Sequence, residues 1–212
     1  MTNDERRMTE DAPMTSSRHG NLQKHLNPNP VQQKLLARFH HRIARLVGQT
    51  GAARLLDAGC GEGFTIAHLQ NDHPGLRMVG GDFSLDALRW GRENLRHTAL
   101  LVNFDLHHLP FRDNSFPLVI CLEVLEHLPD SRAGLRELAR VSSEYVLCSV
   151  PHEPWFRLAN FLRGKHLSAF GNDPEHLHNY TGRGFRQMVS GVIDILWHGY
   201  SFPWQIVLGR KR

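Results

Sequence analysis

Three glycines and two acids are spaced to surround the ends of two neighbouring strands, and they define the chemistry open to this chain. Asp57 lies near the end of an apolar run, Leu55-Leu56-Asp57-Ala58. Gly59, Gly61 and Gly63 follow on alternate positions, with Glu62 between the last two. Glycines at such a junction permit a tight turn and let a flat polar ligand lie against bare main chain. A second apolar run, Met78-Val79-Gly80-Gly81, ends in Asp82, where nucleotide-binding α/β folds place the acid that grips a ribose. The pattern predicts an adenosine-containing ligand at the top of a parallel sheet.

The dinucleotide fingerprint G-x-G-x-x-G fails here, because Phe64 stands where its third glycine belongs. No Gly-Lys-Ser/Thr follows, which excludes a Walker phosphate loop. Glu62 would repel phosphate and tolerate a cation. S-adenosylmethionine meets these conditions, with adenosine, no phosphate, a sulfonium and an ammonium group.

Leu55 to Leu69 resembles motif I of the class I S-adenosylmethionine-dependent methyltransferases. The resemblance continues through Val79-Gly80-Gly81-Asp82-Phe83-Ser84, Asn103-Phe104-Asp105, Leu109 to Phe116 and Glu123-Val124-Leu125-Glu126-His127-Leu128. In order and spacing these motifs are similar to the small-molecule branch called type 11. The resemblance implies a Rossmann-like α/β fold: a mostly parallel seven-stranded sheet, helices on both faces and a C-terminal antiparallel strand. It implies methyl transfer to a small-molecule acceptor by in-line displacement, with S-adenosylhomocysteine as product. It also implies site roles. Asp57, Gly59, Gly61 and Gly63 would face the amino acid moiety and sugar, and Asp82 both ribose hydroxyls. Phe83 would pack beside adenine, Asp105 would accept from its amino group, and Leu106 would lie against the ring. Glu123 would face the methionine end.

A hydroxyl acceptor needs a proton acceptor, and His127 is the first choice, with His152, His176 and His178 behind it. If the segment turns helical, Glu123, Glu126 and His127 share one face and have the chemistry to bind a hard divalent ion. A similar E-x-x-E-H pattern supplies metal ligands in small-RNA 2′-O-methyltransferases, with a further histidine from a downstream H-x-H segment. His176-Leu177-His178 stands in the matching place. A metal is therefore allowed without being the leading expectation. Metal-assisted methylation of RNA ribose is the alternative activity. A catalytically silent S-adenosylmethionine-binding partner protein is a third reading, and an NAD-linked oxidoreductase a distant fourth.

Residues 151–181 break the strand–helix rhythm with prolines, aromatics and histidines and are expected to select the acceptor. His152, Trp155, His178 and Tyr180 are the substrate-side candidates, with Arg157, Arg163 and Lys165 available for an acidic group. The same apolar residues also suit a helix that simply covers the sheet.

The chain has 212 residues, enough for one domain with a substantial core, and a formal charge of +4 is too dispersed to argue for a nucleic-acid stripe. Residues 1–20 read as a disordered leader and 21–212 as a single methyltransferase domain. A helix over 31–47, begun at Pro30, either packs on the sheet edge or, with His25 to Pro30, lids the cofactor pocket. Strands are predicted at 53–58, 76–82, 99–103, 117–122, 144–150, 193–200 and 204–210. Further helices are predicted at 62–70, 85–96, 130–141 and 182–191. Three scattered cysteines fit a reducing, cytoplasmic setting, and no run approaches a membrane span. Fifteen histidines predict a charge that climbs as pH falls, and the His40-His41 and His107-His108 pairs read as surface residues. Two departures from the type 11 pattern stand out: Pro117 where an acid is usual, and Val141-Ser142-Ser143-Glu144 in place of a Lys-Pro-Gly-Gly turn.

Overall fold

The computed structural model describes residues 20–157 and 176–212. Most of the expected leader lies outside them, as do Asn160, Phe161, Arg163 and Lys165 of the acceptor segment.

Seven strands form one sheet: β1 (Arg54–Ala58), β2 (Arg77–Asp82), β3 (Leu100–Asn103), β4 (Phe116–Leu122), β5 (Ser142–Pro151), β6 (Ile193–Ser201) and β7 (Trp204–Lys211). Their order is β3-β2-β1-β4-β5-β7-β6. β3, β2, β1, β4 and β5 pair in parallel, and β7 enters antiparallel between β5 and β6. The expected fold class is present. The central strands β1, β4 and β5 read as near-continuous apolar runs because both of their faces are covered. One apolar cluster packs Ile43, Leu46, Ile66 and Leu69 on Leu55, Leu118 and Ile120. The other packs Leu135, Leu138, Phe185 and Val189 on Leu56, Val119 and Val146.

The helices are α1 (Gly20–Leu26), α2 (Pro30–Thr50), α3 (Phe64–Asp72), α4 (Leu85–Asn94), α5 (Ser131–Val141) and α6 (Gly182–Ser190). The Asn29 side chain accepts from Val31 and Gln32 at the start of α2, and Gly51 closes its end in the left-handed region. α3 starts two residues later than predicted because Gly63, at φ 87°, is not helical. Both departures noted in the sequence have local consequences. The β4–β5 register shifts between Phe116 and Leu118, where Pro117 has no donor to give. With no turn after α5, Ser142 leads straight into β5, its hydroxyl donating to the Tyr145 carbonyl and accepting from the Glu144 amide.

Candidate active site

The glycine turn sits at the carboxyl end of β1 and is tied to β2: Gly59 and Cys60 both donate their amides to the Gly81 carbonyl, at 2.7 and 3.0 Å. Gly59 has φ 87°, and a Cβ there would lie 2.4 Å from Val124 Cγ2. Backbone angle and packing both demand glycine.

Three acids, Asp57, Glu62 and Asp82, surround this turn at Cys60, and a fourth, Glu123, precedes the Val124 that packs on Gly59. Asp82 holds it from the neighbouring strand, with Oδ2 accepting from Gly61 N at 2.7 Å and Oδ1 from Ser84 N at 2.8 Å. Each oxygen keeps a second lone pair, so the contact to a diol remains open. Asp57 is only 1% exposed, and its Oδ2 has no hydrogen-bond partner among the described residues. Burial pushes its pKa up to about 8, and the charge of Asp82 adds to the rise. Glu62 is buried and takes the side-chain amide of Asn21. Glu123, at φ 61°, accepts from the Ser149 hydroxyl at 3.0 Å; burial raises it to about 7 against the opposing pull of Lys24.

α1, a helix that the sequence reading did not include, lies across this corner. The His25 ring stacks on Phe64 with centroids 4.1 Å apart, and Lys24 stands 4.9 Å over the Trp204 ring. His25 Nε2 meets His40 Nε2 at 3.3 Å, and His40 stacks on His68. His40 therefore corrects the surface expectation. It is 5% exposed because it shares the inward side of α2 with Phe39 and Ile43. Burial lowers His25 to about 4 and His40 to about 2, and it also lowers His68, His97, His152 and His198. These six histidines do not supply the near-neutral titration expected from composition.

On the far side of Asp82, Phe83 is exposed and its carbonyl accepts from Asn103 Nδ2. Asp105 lies two residues beyond β3, exposed and paired with His107 Nδ1 at 2.9 Å. Leu106 is buried in the core with Leu109 and Leu125. The expected wall of Leu106 is thus part of the protein interior, because its side chain turns under the loop toward Gly134.

The E-x-x-E-H segment does not become an α-helix. A single 3-10 turn, Leu125–His127, follows the left-handed Glu123, and so the three-residue face expected from helical spacing does not form. Glu123 turns to Ser149, whereas Glu126, His127 and His176 place one ligand atom each within 4.8 Å of one another. The main chain fixes this grouping: the amides of Leu177 and His178 both donate to the Glu126 carbonyl, at 2.9 and 3.0 Å. His178 itself is committed elsewhere, its Nε2 lying 2.9 Å from the Leu128 carbonyl. Tyr180 donates to Ser131 Oγ at 2.8 Å. His152 packs on Tyr200 with centroids 4.6 Å apart, and Trp155 is half exposed. Cys60, Cys121 and Cys148 are buried free thiols that burial pushes up, and they take no part.

Residues 56–145 match the family model of the type 11 methyltransferase domain. Over those residues the chain is similar to a methyltransferase domain. It is 37% identical over 93 residues to the methyltransferase GfsG of Streptomyces halstedii, a match spanning 42% of this chain and 33% of that protein. It is 35% identical over 121 residues to demethylmenaquinone methyltransferase of Staphylococcus aureus, spanning 55% of this chain and 50% of that one. The chain thus spans 29% to 50% of the length of the curated relatives it is compared with. The magnesium protoporphyrin IX methyltransferase of Synechocystis, solved with bound S-adenosylhomocysteine, shares the fold of the methyltransferase domain at a TM-score of 0.69. It is 17% identical over 92% of this chain and 94% of that one.

Proposed function

We propose that this domain transfers a methyl group from S-adenosylmethionine to a small-molecule acceptor. The observation that carries the proposal is the acid-lined corner: Asp57, Glu62 and Asp82 crowd one bare glycine turn, and Glu123 precedes the Val124 that packs on it. Three of them, Asp57, Asp82 and Glu123, are held above their ordinary carboxyl range by burial. Such a hollow disfavours phosphates and is relieved by a ligand bearing positive charge. S-adenosylmethionine supplies a sulfonium-activated methyl group when bound. Asp57 and Glu123 would hold its charged end, Asp82 its ribose, and Gly59 to Gly63 its flat body. Phe83 and Asp105 stand on the adenine side of Asp82. Alignment of reactants in a dry site is worth up to ~7–11 kcal/mol, and supplying it is the chief task of α1 and the glycine turn. α1 and α2 together are the lid in this reading. The name of one relative, a demethylmenaquinone methyltransferase, supports a small-molecule acceptor.

A ring nitrogen of His127 takes the acceptor proton. The expected result of His127→Ala is a kcat lower by roughly 10²-fold or more, with donor affinity by calorimetry nearly unchanged. Equal losses of both would assign His127 a structural role instead.

The grouping of Glu126, His127 and His176 favours one second reading, metal-assisted transfer. Two imidazoles and one carboxylate are a three-ligand set for a divalent transition metal with positions left open. Zn(II) and Mn(II) titrations of the chelator-treated protein should then show a single site. Glu126→Gln and His176→Ala should each weaken it beyond the ~10–100-fold that loss of an outer-shell partner costs. Full turnover in chelator, with no metal uptake, would leave His127 as a metal-independent base.

A further inference from the structure

The exposed apolar side chains are not scattered. Of the ten large ones exposed among the described residues, eight lie around the carboxyl edge of the sheet: Leu26, Val31, Phe83, Leu85, Trp155, Leu177, Tyr200 and Phe202. Only Leu100 and Leu196 sit elsewhere, the first opening β3 and the second within the edge strand β6. That edge is the mouth of the site, since Ala58, Asp82, Leu122 and Pro151 end their strands there. Scattered apolar residues need no explanation, but a collar of them around one opening marks a contact surface.

The charge beside the collar is equally one-sided. From residue 20 to residue 56 the sequence holds no aspartate or glutamate, yet it holds Lys24, Lys34, Arg38, Arg42, Arg45 and Arg54. On α2, Lys34, Arg38, Arg42 and Arg45 fall at helical spacing along one stripe, and all but the half-buried Arg42 are exposed. Between this stripe and the β6–β7 turn runs a groove of about 360 Å³, lined by Leu35, Arg38, His41, Arg42, Tyr200 and Phe202 beside Ser201, with no acid. Cations next to half-exposed aromatic rings are the composition of a surface that lies on anionic headgroups with its rings in the acyl boundary.

We infer that the mouth of the methyltransferase domain docks on an anionic phospholipid bilayer, through α2 and the Tyr200–Phe202 turn. The cations of α2 meet the headgroups while Val31, Tyr200 and Phe202 insert, so the site opens toward the lipid. The inference goes beyond the proposed methyl transfer and holds whether or not that reaction is assigned correctly.

Co-sedimentation with vesicles tests it. The protein should pellet with phosphatidylcholine vesicles containing phosphatidylglycerol roughly tenfold more than with phosphatidylcholine alone, and high salt should release it. The double variant Lys34→Glu/Arg38→Glu, both residues exposed, should lose this preference. Phe202→Ser should weaken binding at every salt concentration. Unchanged thermal midpoints and unchanged far-ultraviolet circular dichroism would show that both variants remain folded. Indifference to phosphatidylglycerol, or full binding by the double variant, would overturn the inference. So would binding of RNA or of monomeric short-chain phosphatidylglycerol in a protein that ignores vesicles.

Discussion

Asp82→Ala should lower S-adenosylmethionine affinity by at least ~100-fold in a calorimetric titration. Two hydrogen bonds to a charged acceptor are worth about 1.5–3 kcal/mol each, or roughly 3–6 kcal/mol together. The carboxylate also anchors the Gly61 and Ser84 amides at 2.7 and 2.8 Å, so alanine frees the turn that frames the ligand. Asp82→Asn separates the two effects. It keeps one oxygen for a backbone amide while removing the charge, and should lose less affinity than alanine. Wild-type affinity in Asp82→Ala would remove the basis for placing the donor in this corner.

The second large effect is a pH dependence set by Asp57. Its folded pKa of about 8 lies above the ordinary 3.8, so the folded protein holds a proton that the unfolded chain releases. Stability from this group is fully present below about pH 4 and is lost as pH rises toward 8, at up to about 1.4 kcal/mol per pH unit. Asp82 and Glu123, also raised, add to the same slope. The donor-free protein should therefore melt at a lower temperature as pH rises through this window, and Asp57→Asn should flatten the curve. A cationic ligand reverses the sign, because it favours the ionised carboxylates. The rise in melting temperature that S-adenosylmethionine gives should grow from pH 5 to pH 8 in the wild type and shrink in Asp57→Asn. A thermal midpoint indifferent to pH in both proteins would mean that Asp57 is not the buried acid described above.

Much of the architecture was legible because burial on both faces leaves a plain mark. Leu55-Leu56, Leu118 to Leu122 and Val146 to Val150 are apolar runs, and each became a central strand. The glycine turn and Asp82 were equally plain, since a left-handed Gly59 packed on Val124 can be nothing larger. Contacts set by tertiary placement were harder to read. Glu123 was grouped with Glu126 and His127 on the premise of a helix, but its positive φ breaks that helix and sends its side chain to Ser149, 26 residues on. α1 has too few turns to show a period, so the reach of Asn21 to Glu62 and the His25–Phe64 stack had no local signature. His40 was misjudged for a related reason. A histidine on the apolar side of a helix finds its partners, His25 and His68, on other segments. The cluster of Glu126 with His176 depends on two amides of residues 177 and 178 meeting one carbonyl, which no spacing rule encodes.

The placement of β7 has a consequence for biosynthesis. β5 carries the buried residues Val146, Leu147 and Val150, yet one of its bonding edges is satisfied only by β7, which is made some fifty residues later. A nascent chain emerging from the ribosome therefore presents that edge bare until Trp204–Lys211 is free to insert. Until β7 pairs with it, this edge is open to mispairing with another strand.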